Sequence, residues 1–285
     1  LWAYEILGWG GYWAWDPVEN ASFIPWLTAT AFIHSVIVTE RRGMLKAWSF
    51  VLIIVTYCMT VVGTFLVRSG IIESVHAFGD AGVKLPFYYF MGVVFGGSLL
   101  LVLWRGPLLK SDRKLESLVS REGVFLFNNL ILLAISAVTL VITFWPVITE
   151  KLYGKAGQQT FGPDAYTMIN APLFLALLFL MGVGPILGWR QNSPKNILRN
   201  FALPAAISSL VLVAYSGYLW KHDLFKTTES EETIAVMVNW ARVLIQVTLL
   251  PICTFTFITV LQEFHAGALA RARATREPYL RSLVG

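Results

Sequence analysis

The chain has 285 residues, of which 56% are hydrophobic, 14% aromatic and only 14% charged. A soluble domain carries about 25% charged residues, so this composition argues against both disorder and a water-soluble globule. Cys58 and Cys253 lie far apart in apolar runs, which argues against a disulfide scaffold, a zinc site and a thiol-redox centre, and the net charge of +5 bears on membrane orientation before nucleic acid.

The chain opens at Leu1 with neither Met nor a signal peptide, and reads as an internal piece of a longer protein. Residues 9–26 read WGGYWAWDPVENASFIPW. An interfacial aromatic belt explains one or two such tryptophans. It does not explain Gly10 and Gly11 among them, which let backbone approach a large flat partner. The indole faces of Trp9, Trp13, Trp15 and Trp26 suit a planar, amphipathic ligand at the interface. Asp16-Pro17-Val18-Glu19 predicts a helix start, with Asp16 as N-cap, Pro17 at the first helical position and Glu19 closing a capping box. Glu19 and Asn20 are polar contacts at the same edge.

Seven apolar segments follow, near 19–39, 45–68, 86–104, 122–147, 167–188, 200–219 and 233–262. Each has about 20 or more residues, enough to cross ~30 Å of hydrocarbon as a helix. A β-barrel would show short alternating segments instead. The predicted fold class is all-α: a polytopic membrane protein with about seven transmembrane helices, part of a larger bundle. Fifteen of the 22 Lys and Arg residues fall on one set of connections and six on the other, with Arg242 inside a segment. The richer set is expected to be cytoplasmic. Residues 1–18 and the loops 69–85, 148–166 and 220–232 are then external, and 263–285 form a cytoplasmic basic tail. No repeat or large insertion interrupts 1–285, which reads as a single membrane domain.

Only four histidines occur, His34, His76, His222 and His265. His34 lies ~22 Å along the first helix from Glu19. His265 lies at the end of the last segment, just before Arg271. Both are expected in the inner half of the membrane. If the first and last spans are neighbours, the two imidazoles can clamp one iron, since imidazole is a good axial ligand of heme iron. The plainer reading of each is a core histidine bonded to a neighbour. His76 falls on an external loop, with Glu73 near enough to orient its ring. Arg242, beside Asn239 and Trp240, needs a partner at its depth; a heme propionate, an intramembrane Glu or an outward snorkel serves.

WGGYWAWDPVENASFIPW resembles the WWD signature of the heme-handling proteins of cytochrome c maturation. With AFIHS, FLVRSG and SVHAF after it, the chain is similar to the heme lyase branch of the bacterial multi-subunit pathway, the CcmF family. The likeness is clear to about residue 80 and compatible to about 270. A nitrite-reductase-dedicated paralogue shares the motif. The resemblance implies an inner-membrane protein with its Trp-rich site on the periplasmic side. It implies an incoming heme held by Trp9, Trp13, Trp15, Asp16 and Trp26, with His76 as an axial iron ligand and a second external histidine outside this chain. It implies a structural or electron-transfer heme b ligated by His34 and His265, reduced by a quinol. The implied reaction joins heme by thioether bonds to the CxxCH cysteines of apocytochrome c. The implied partners are a heme chaperone, apocytochrome c and the subunit that reduces and presents it. No side chain stands out as a catalytic acid or base, so positioning carries the chemistry.

Two other classes compete. A heme exporter or transporter predicts a polar midplane pathway, for which only Asn128, Asn129 and Arg242 speak. A quinone-linked electron-transfer subunit with heme b uses His34 and His265 but leaves the tryptophans and His76 without a purpose.

Overall fold

A computed structural model describes residues 13–72, 82–111, 113, 115–189, 193–222, 233–275 and 279. Among them are seven long helices: α1 (Pro17–Arg42), α2 (Lys46–Ser69), α3 (Lys84–Arg105), α4 (Arg121–Tyr153), α5 (Pro163–Ile186), α6 (Pro194–Lys221) and α7 (Thr233–Thr275). Short 3-10 turns occur at Gly106–Leu109 and Lys155–Gly157. All seven helices contain a stretch long and apolar enough to cross a membrane. The all-α, seven-helix expectation holds. Several helices outrun their apolar segments, two of them notably at their C-terminal ends. α4 continues to Tyr153 and α7 to Thr275, into the expected outer loop and basic tail. The α7 extension, HAGALARARAT, is rich in Ala, Leu and Arg, which favour helix in water as well as in lipid.

Local chemistry sets the ends. At α1, the Asp16 side chain accepts from Val18 N–H at 2.9 Å, and Glu19 Oε2 accepts from Asp16 N–H at 3.1 Å. Pro17 follows where a helix has no use for an N–H. α1 stops at Gly43, whose φ of 66° suits glycine and whose N–H donates to the Thr39 carbonyl at 2.8 Å. Ser193 caps α6 by accepting from Asn196 N–H at 3.3 Å. Hydroxyls turn back onto the backbone beside two prolines inside the helices: Thr28 donates to the Pro25 carbonyl at 3.0 Å and Thr149 to that of Pro146 at 3.2 Å.

The chain forms two compact units, 1–114 with 129–170, and 115–128 with 171–285. In the first, α1 and α2 make an antiparallel hairpin across Gly43-Met44-Leu45. Near the turn the Thr39 and Ser49 hydroxyls lie 2.9 Å apart. At the far end Gly63 meets the α1 backbone so closely that a Cβ there would sit 2.4 Å from the Ala21 carbonyl oxygen. α3 leans on α2 through Phe65, which meets Phe87 and Tyr88 at 5.9 and 5.2 Å, yet none of its own residues is buried. In the second unit α6 pairs with α7. Phe255 stacks on Phe179 and Phe201, and Thr256 donates to the Leu178 carbonyl at 2.8 Å.

Polarity runs opposite to that of a soluble protein. Asn20, Thr28, Ser35, Asn129, Thr143 and Asn170 are buried, while Leu100, Trp104 and Phe257 are exposed. Without a hydrophobic drive between helices in lipid, small and polar residues hold the interfaces. Gly63→Ala should therefore lower stability by about 1–3 kcal/mol through overpacking. A lower thermal midpoint in detergent checks it, with Gly96→Ala, where a Cβ meets nothing within 4 Å, as the unaffected control.

Candidate functional site

Trp13, Trp15, Phe23 and Trp26 form one aromatic group at the start of α1. Trp13 meets Trp15 edge-on at 5.8 Å and Phe23 at 5.4 Å, and Phe23 stacks on Trp26 at 5.9 Å. Trp13 and Trp26 keep 39% and 58% of their surface open, so wide indole faces remain for a partner.

Trp15 is the fixed member. Its backbone has φ 57°, a left-handed conformation that costs an L residue on the order of 1–3 kcal/mol. Four contacts hold it there. Its ring stacks on Tyr166 at 5.3 Å and 12°. Its Nε1–H donates to Thr167 Oγ1 at 3.2 Å. Its carbonyl accepts from Asn20 Nδ2 at 3.0 Å. The capping box fixes the next residue, and Glu19 Oε2 also accepts from Ala14 N–H at 3.0 Å. Asn20 Nδ2 further donates to Thr143 Oγ1 at 3.1 Å, which lies 3.3 Å from the Tyr166 hydroxyl. Asp16, expected to cap and to shape the site, here caps.

Beside Trp15 opens a cavity of about 440 Å³. Ile72, Pro146 and Tyr166 give it apolar and aromatic wall; Glu150, Lys155 and Gln158 give it charge and amide. That mixture suits a ligand with a flat apolar body and an anionic edge.

His34 lies half-buried on α1. Its Nδ1 is sealed from solvent, and its ring interacts with the side chain of Asn129 on α4. Both amide atoms of Asn129 and the neighbouring Ser35 hydroxyl are buried without a hydrogen bond. Polar atoms left so in an apolar interior fit a histidine engaged with a further group, as an iron ligand is. His265, in the second unit, is exposed on α7, and its Nδ1 lies 2.8 Å from the Tyr279 hydroxyl. His222 ends α6 with its ring 4.4 Å from that of Tyr218. Arg242 is exposed on α7. Trp9, Glu73 and His76 lie outside the described residues.

A family model described as cytochrome C assembly protein matches residues 1–72. The chain is 42% identical over 228 residues to the cytochrome c-type biogenesis protein CcmF of Escherichia coli K12, covering 80% of this chain and 35% of that protein. It is 37% identical over 280 residues to CcmF of Pseudomonas aeruginosa, covering 98% of this chain and 40% of that one. A solved structure titled Cytochrome c Heme Lyase CcmF superposes with a TM-score of 0.61 at 30% identity, over 99% of this chain and 39% of that one.

Over nearly its whole length the chain is similar to CcmF proteins, and its first 72 residues match the cytochrome c assembly family. It spans well under half the length of these relatives. Seven apolar helices and bacterial CcmF relatives make it a multi-pass inner-membrane protein.

Sequence reasoning about this CcmF-like chain found the tryptophans, the cap and Asn20. It missed Tyr166 and Thr167, the latter 152 positions from Trp15, along with Thr143 and the cavity. The available signal was topological, because the expected outer loop 148–166 shares a side with the Trp-rich segment. Asn20→Leu should leave the Trp15 carbonyl and the Thr143 hydroxyl without this donor and cost about 2–3 kcal/mol. A fall in the detergent melting temperature and faster proteolysis ahead of Pro17 check it.

Proposed function

We propose that this chain is the heme-handling part of a heme lyase, placing heme for covalent attachment to apocytochrome c. The observation that carries the reading is the aromatic group built around Trp15, locked beside a cavity that offers both ring faces and charge. In this reading the group lies on the periplasmic side. Trp9, Trp13, Trp15 and Trp26 bracket the porphyrin, Asp16 fixes the loop that presents them, and Lys155 meets a propionate. His76 serves as an axial ligand until the histidine of the substrate CxxCH replaces it.

Each thioether forms by adding a cysteine S–H across a heme vinyl C=C, so atoms balance without an oxidant. No general acid or base is required of the chain. Its contribution is proximity, since holding both reactants in register supplies a large part of such a barrier. The partners are a chaperone that delivers heme and a subunit that presents reduced apocytochrome c.

His34 and His265 would hold the iron of a heme b in the membrane, and Arg242 would meet its propionate. An iron on these histidines would take its other ligands from the porphyrin. When bound, heme b supplies one-electron transfer, drawing on a quinol and keeping the attached heme's iron reduced. The chain's own part is to supply the two imidazoles.

Two measurements test the proposal. Visible spectra and pyridine hemochromes of the full-length membrane protein should show a sharp low-spin b-type heme that collapses in His34→Ala and in His265→Ala. A full bis-histidine spectrum in either variant overturns that assignment. Trp15→Ala and Tyr166→Ala should each lower covalent heme in a reporter cytochrome c by at least about tenfold, the scale of a misplaced reactant, at unchanged membrane protein level. Undiminished holocytochrome would overturn the aromatic site.

A further inference from the structure

We propose that Asn129 and Tyr279 are positioning residues that set the orientation and basicity of the histidines His34 and His265. The inference rests on the reading above that these histidines ligate heme b.

Asn129 lies on α4 and is fully buried. An amide with neither polar atom hydrogen-bonded is costly in an apolar helix interface, where the usual role of Asn is to bridge helices. The polar group it meets is the His34 ring. Ser35, next in sequence to His34, buries a hydroxyl that is likewise without a hydrogen bond. A wholly buried amide set against one imidazole points to a site built around that ring.

His265 has the same kind of partner by a different route. α7 runs on to Thr275, and beyond it Tyr279 brings its hydroxyl to 2.8 Å from His265 Nδ1. With Nδ1 engaged by an oxygen, Nε2 is the nitrogen left to bind metal. The contact is with the phenol oxygen and not the ring face, since the two rings meet edge-on with centroids 5.5 Å apart. At His222 the contact described is with a ring, that of Tyr218 at 4.4 Å.

An oxygen that accepts the N–H of an axial imidazole makes the ring a stronger donor to iron and favours the ferric state. Removing it should shift the reduction equilibrium toward ferrous heme without removing the heme.

The test is an anaerobic redox titration of the b-type heme in full-length protein in detergent. Asn129→Leu and Tyr279→Phe are each expected to keep the heme and shift the equilibrium about tenfold toward the reduced form, in line with the usual weight of such partners. Asn129→Asp, a stronger acceptor, is expected to shift it the other way. Tyr279→Phe removes one exposed oxygen and folds readily, so it decides the question if Asn129→Leu fails to assemble. Unmoved potentials in variants that hold heme overturn this inference alone. Full-length protein with no b-type heme overturns the ligand reading and this inference with it.

Discussion

One side-chain amide ties the first unit together. Asn20 Nδ2 donates to both the Trp15 carbonyl and the Thr143 hydroxyl. In a membrane interior no water can take over an unmet donor, so such a group stays where its partners are. Thr143 passes the connection to Tyr166, and Tyr166 stacks back on Trp15. The circuit is closed. It fastens three segments distant in sequence and holds Trp15 in a left-handed backbone that its own preferences oppose. The exposed tryptophans around it can then be offered as a surface without being mobile at their base.

Much of this was legible in the residues. Helix number followed from twenty-residue apolar runs, because lipid leaves a backbone few other choices. The start of α1 followed from Asp16, Pro17 and Glu19, since a capping box is a local matter of four residues. What was not legible is what depends on distance. Nothing near Trp15 announces a positive φ, because the strain is held by Tyr166, Thr167 and Asn20 acting together. The length of α7 was hidden because hydropathy marks where lipid ends, and the helix continues through alanines and arginines that favour it in water. The engagement of His265 by Tyr279 needed that extension and could not be read from spacing.

A single helix sets the distance between the aromatic group and His34. From Asp16 to His34, α1 rises ~27 Å. The aromatic group stands at its capped end and His34 toward the other, where Asn129 meets it. In the function proposed above, a rod with a ligand platform at one end and a candidate metal ligand near the other would keep attachment chemistry and electron supply apart. It would also keep their separation constant, whatever the loops between the helices do.

The tight turn between α1 and α2 bears on how the protein is made. Only Gly43, Met44 and Leu45 join the two helices, and Gly43 and Leu45 both take left-handed backbone to do so. Arg41, Arg42 and Lys46 crowd against it. Two apolar helices joined so closely enter a bilayer as one wedge, leading with three cations that resist being drawn across. Within this chain the turn and its cations thus hold α1 and α2 to one orientation as a pair.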